Sequence, residues 1–167
     1  MSDLYTEVLV QKKSTGKDMA IKVGMIFLTV LFTVAGLLMI PWFLVGAVVM
    51  GVLDYFFIPR LSVEFEYLYV NGELDVDKVF SRAKRKKAGR YDLSKLEIMA
   101  PAQSHRLDSY RNNKSIKNVD YSSGEEGAKV FAMIIPAEKE LQRVLFEPND
   151  VMLQDMRMKM PRKIFMD

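Results

Sequence analysis

Between residues 23 and 53 the chain carries no charged side chain, and that one fact limits its possible folds more than any other. With Asp54 as the only interruption, the apolar run extends to Ile58. A bilayer core about 30 Å thick is crossed by roughly 20 apolar residues in a helix. As a single helix this run would be about 54 Å long at 1.5 Å per residue. That length would demand more tilt than the roughly 0–40° that membrane helices adopt. Two shorter helices fit better. Pro41 lies near the middle, cannot donate a helical hydrogen bond and suits the first turn of a new helix. The expected organisation is a cytoplasmic N-terminal segment at 1–19, a two-helix transmembrane hairpin at 20–58 and a soluble domain at 60–167.

Charge supports the hairpin. Lys12, Lys13, Lys17 and Lys22 precede the run and Arg60 follows it. Cations favour the cytoplasmic side, so both ends are expected there, in a multi-pass protein of the cell membrane. Gly24, Gly36, Gly46 and Gly51 would let two helices approach closely. A cleaved signal peptide fits poorly, because the run is too long and follows about twenty mostly polar residues. Asp54 lies one turn from the expected interface and reads as a hydrated carboxylate near Arg60.

Past Pro59 the apolar run gives way to alternation. Val63, Phe65, Tyr67 and Tyr69 share one face of a strand, with Glu64 and Glu66 on the other. Asn71-Gly72 is a strong hairpin signal, and residues 73–80 make the partner strand. Residues 81–90 read as a basic connection, and further strands are expected at 91–99, 116–121 and 128–135. Residues 138–146 fit a strand or a helix, and the strand is preferred. Asn149 or Asp150 caps a helix to about residue 159, with Met152, Met156 and Met160 on one side. Six strands and one amphipathic helix define an α+β domain: a small antiparallel β-sandwich or barrel closed by a C-terminal helix.

The most prominent candidate for binding is Arg82, Lys84, Arg85, Lys86, Lys87 and Arg90. Polybasic segments beside a membrane are drawn to anionic lipid. A solvated loop, partly neutralised by Glu73, Asp75 and Asp77, is the competing reading. The net charge of +3 argues against nucleic acid. No cysteine is present, which removes disulfides, thiolate catalysis and Cys-ligated metals. The lone His105 lacks an oriented partner and a nucleophile, so no catalytic residue, cofactor, metal or small-molecule substrate is expected.

The run Val63-Glu64-Phe65-Glu66-Tyr67-Leu68-Tyr69 with its Asn71-Gly72 turn, the segment Arg82-Ala83-Lys84-Arg85-Lys86-Lys87 and Tyr91-Asp92-Leu93 form a recognisable series. It continues in Ala100-Pro101, Ser104-His105-Arg106 and Phe146-Glu147-Pro148-Asn149. In these features the chain resembles an uncharacterised family of small two-span membrane proteins from Clostridia-type bacteria, grouped as a domain of unknown function. Its layout is also similar to bacterial PH-like domains tethered by a membrane hairpin. With the anchor and the basic segment, the expected function is a non-enzymatic, membrane-tethered PH-like binding module at the cytoplasmic membrane face, engaging anionic lipid headgroups or a protein partner. The alternative is an accessory subunit of a larger membrane complex.

Overall fold

The computed structural model describes residues 5–81, 84–137 and 140–167. The chain divides into two compact units. One consists of residues 13–63 with 80–84, and the other holds residues up to 12, 64–79 and 85–167.

The first unit is built on two helices, α1 (Gly16–Leu38) and α2 (Trp42–Phe57); α1 and the stretch Trp42–Leu61, in which a 3-10 turn continues α2, are long and apolar enough to cross a membrane. Thr15 opens α1 with a capping box. Its hydroxyl accepts from the Asp18 N–H, and the Asp18 carboxylate accepts from the Thr15 N–H. Two of the four glycines bring the helices together. A Cβ at Gly36 would fall 2.7 Å from Leu44, and one at Gly46 would fall 3.0 Å from Phe32. Gly24 and Gly51 have open space instead. Asp54 does not sit with Arg60, as the sequence suggested. Its Oδ2 lies 2.6 Å from the Thr29 hydroxyl on α1, because antiparallel helices bring these two polar residues to one level. Arg60 stacks over the Phe57 ring.

The second unit contains two four-stranded sheets. Sheet A has the order β1-β2-β3-β4, from β1 (Tyr5–Gln11), β2 (Val63–Val70), β3 (Glu73–Phe80) and β4 (Lys84–Asp92). Asn71 and Gly72 both take positive φ, as a tight turn between β2 and β3 requires. Sheet B has the order β5-β7-β8-β6, from β5 (Ile98–Pro101), β6 (Lys117–Asp120), β7 (Phe131–Ala137) and β8 (Glu140–Phe146). A short helix α3 (Asp108–Arg111) precedes β6, and α4 (Asp150–Lys159) follows β8.

Several expectations need correction. The N-terminal segment is not without structure, since β1 pairs antiparallel with β2 from Tyr5↔Val70 to Gln11↔Glu64. The basic connection is itself a strand, β4, because its cations can pair with acids on neighbouring strands while keeping extended backbone. The strand expected at 91–99 is broken by a 3-10 turn, Leu93–Lys95, which Asp92 caps through the Ser94 N–H. The sheets are antiparallel except at one edge, where β6 runs parallel to β8. β7 lies between them in the chain and runs antiparallel to β8, so β6 and β8 point the same way.

Aromatic side chains join the two sheets. Phe65 meets Tyr121 and Tyr67 meets Phe146, both edge to face. The buried Tyr67 hydroxyl donates to the Tyr121 carbonyl at 2.5 Å. Burial raises the Tyr67 hydroxyl above the usual phenol range. Asn149 caps α4 by accepting from the Met152 N–H, and Met152 and Met156 are buried on the inner side of that helix. The Tyr69 hydroxyl donates to Asp155 at 2.7 Å.

Candidate functional site

The basic residues belong to β4, an edge strand of sheet A, and the structure separates them into two groups. Phe65, Tyr67 and Tyr69 point into the core, so Glu64, Glu66 and Leu68 belong to the outer face. On that face the cations of β4 meet acids. Arg85 lies 2.9 Å from Glu66, Lys87 lies 3.0 Å from Asp75, and Arg90 pairs with Glu73. The carboxylates beside it raise the Arg90 pKa, with the Glu73 hydrogen bond as the leading cause. Lys84 and Lys86 are exposed and have no acidic partner among the described residues. Arg82, the sixth candidate, lies outside the described residues.

Three cations are neutralised by the sheet's own acids, while two face solvent with their charge uncompensated. The Lys87–Asp75 and Arg90–Glu73 pairs are partly exposed, and such pairs contribute only about 0–1 kcal/mol each. The acids that sequence reasoning missed are Glu66 and Glu7. Glu66 is fully buried although it lies on the outer face. Glu7 on β1 is its diagonal neighbour on that face, and Glu7 accepts from the Tyr5 hydroxyl at 3.0 Å. Recognising β1 as a strand would have revealed this pair.

His105 is fully exposed on a 3-10 turn, with its Nδ1 3.2 Å from Asp108. No group of metal-ligating side chains occurs among the described residues. Two cavities lie in this unit. One, of about 240 Å³, is lined by Gly89, Tyr91, Tyr121 and Gln142, whose polar atoms bond mainly to one another. A wider cleft of about 890 Å³ lies between the loop after β6 and the start of α4, over Phe131, Leu145 and Leu153.

These features define a small α+β module that presents a charged strand edge and has two apolar helices joined to it in sequence. The chain belongs to the family described as Bacterial PH-like domain (DUF6106), which it matches over residues 2–166. PH-like domains are in general non-catalytic binding modules. No curated protein and no solved structure matches the chain.

Proposed function

We propose that this protein is a membrane-tethered, non-enzymatic binding module whose β4 edge engages anionic lipid headgroups at the cytoplasmic membrane face. The pairing of β1 with β2 carries the tethering half of this reading. Those strands are neighbours in one sheet, yet the apolar helices lie between them in sequence. The segment that leaves β1 must return to the same side to enter β2. In a bilayer that requires two crossings, with the turn near Pro41 on the far side. Lys12, Lys13, Lys17, Lys22 and Arg60 flank the helices on the near side, which the positive-inside bias assigns to the cytoplasm.

The binding half rests on the unpaired charge of Lys84 and Lys86, with Arg85, Lys87 and Arg90 in reserve and Arg82 adjacent in sequence. Cations close to an anionic surface contribute about 1 kcal/mol each. The test uses the full chain in nanodiscs of phosphatidylcholine alone or mixed with phosphatidylglycerol. Acetylation of Lys84 and Lys86 is compared with that of Lys95. Slower labelling of Lys84 and Lys86 in the anionic discs, reversed by salt, is the expected result. Equal rates in both discs would overturn the lipid assignment.

A second reading, an accessory subunit of a membrane complex, draws on the open space at Gly24 and Gly51. Small residues of that kind let another helix approach closely. It predicts that Gly24→Leu or Gly51→Leu abolishes co-purification of a partner and leaves lysine labelling unchanged.

A further inference from the structure

The outer face of sheet A contains an arrangement that a simple basic patch does not need. Glu66 is directly opposite Leu9 in the β1–β2 register, and Glu7 is opposite Leu68, so the two acids are diagonal neighbours on one face. Glu66 is 0% exposed, whereas Arg85, 2.9 Å away, is 63% exposed. A carboxylate removed from water is costly unless it is paired and hydrogen-bonded. Neither Glu66 oxygen has a well-formed hydrogen bond from a donor, and the Arg85 contact supplies proximity of charge instead. A second acid beside a buried carboxylate favours the uptake of one proton. The cluster therefore combines a proton-binding pair with an arginine on the strand assigned above to anion binding.

We propose that Glu66 is a built-in counter-anion that restrains Arg85, and that proton uptake by the Glu7–Glu66 pair frees Arg85 for an anionic ligand. This inference rests on the binding role proposed for β4 and adds its regulation. The anion engaged by Arg85 is the lipid headgroup phosphate. Its binding to β4 strengthens as the pH falls.

The surrounding groups set the direction. Glu7 and Tyr5 approach from β1, Glu64 from the same strand, Asp77 from β3 and Arg85 from β4. The Asp75–Lys87 pair joins β3 to β4 on the same face. Burial lifts Glu66 above the ordinary carboxylate range, the neighbouring Glu7 adds to the rise, and Arg85 opposes it. The neighbouring Glu66, then the Tyr5 hydrogen bond, holds Glu7 below that range. The first proton therefore goes to Glu66. With it bound, the charge summed over Glu7, Glu66 and Arg85 changes from net negative to neutral. Arg85 then loses its nearest counter-charge, and its exposed side chain is free to turn toward an external phosphate. Lys84 and Lys86 experience less repulsion of the same ligand.

The test uses the full chain in phosphatidylcholine nanodiscs with and without phosphatidylglycerol. Hydrogen exchange of the β4 amides is measured across a series of pH values from mildly acidic to mildly alkaline and corrected for intrinsic rates. The readout is the extra protection that the anionic lipid gives. The expected result is a several-fold larger protection at the acidic end of the series. Glu66→Gln should show the larger value throughout the series. Arg85→Gln should keep the protection due to Lys84 and Lys86 but lose its pH dependence, which serves as a check if Glu66→Gln folds poorly. Protection that is present but unchanged by pH, with Arg85→Gln behaving like the native chain, would overturn this inference and leave the binding role standing. No protection from anionic lipid in any variant at any pH would overturn both.

Discussion

The two sheets of the PH-like unit each give one face to a shared core, but their other faces have opposite chemistry. Outside sheet B, Leu107, Ala132, Ala100 and Ile134 are buried together, with Tyr110 and Phe165 packed against them. The segment after β5 and the C-terminal residues cover this face. Phe165 donates its N–H to the Met99 carbonyl, and Arg106 stacks over the Phe165 ring. Outside sheet A the neighbours are Glu66 with Arg85, Asp75 with Lys87, and Glu73 with Arg90. Apolar cover stabilises through area removed from water. The last two pairs are partly exposed, and such pairs contribute little to stability. The contrast separates a face built to hold the fold from one whose exposed pairs do little to hold it.

Mutations on the two faces should therefore differ in cost. Leu107→Ala beneath the cover of sheet B removes a fully buried side chain, and a loss of about 2–5 kcal/mol in unfolding free energy is expected. Ile134→Val on the same face should cost about 0.5–1.5 kcal/mol. Lys87→Ala on sheet A should cost no more than about 1 kcal/mol, because its pair with Asp75 is partly exposed. Denaturation of the full chain in one detergent checks all three. A Lys87→Ala cost matching that of Leu107→Ala would erase the distinction between the faces.

The smallest expected effect is a pH slope. Glu66 has a raised pKa in the folded chain, so the folded state holds its proton more tightly than the unfolded state does. Its contribution to stability is full below the unfolded carboxyl range and fades as the pH rises through the raised value. Glu7, held low, acts in the opposite sense, and its contribution fades as the pH falls through its lowered value. Glu66→Gln should therefore gain in melting temperature relative to the native chain as the pH rises from the carboxylate range toward neutrality. A constant difference across that range would show that Glu66 does not titrate in the folded state as described.

The sequence made some of this arrangement legible and hid the rest for identifiable reasons. The charge-free run and Pro41 predicted two helices, and α1 and α2 lie there. Alternation from Val63 to Tyr69 and the Asn71-Gly72 turn predicted the β2–β3 hairpin. The strand β1 was missed although Thr6, Val8 and Val10 alternate with Tyr5, Glu7 and Leu9. So short a pattern immediately before an apolar run reads as a flank, and only its pairing with β2 makes it a strand. β4 was read as a connection because cations filled its positions, which leaves no apolar period to detect. Their nearby partners Glu73 and Asp75 were anticipated from the chain. Glu66 was not, since its contact with Arg85 and Glu7 depends on strands far apart in sequence.

The tether can be tested most directly by labelling single cysteines, because the chain has none of its own. Ser14→Cys, Ile40→Cys and Lys95→Cys place one thiol before α1, one between the helices and one in the PH-like unit. A membrane-impermeant maleimide is applied to sealed vesicles of each orientation. The account predicts that positions 14 and 95 are labelled from the same side and position 40 from the opposite side. Labelling of 14 and 95 from opposite sides, or of all three from one side, would contradict it.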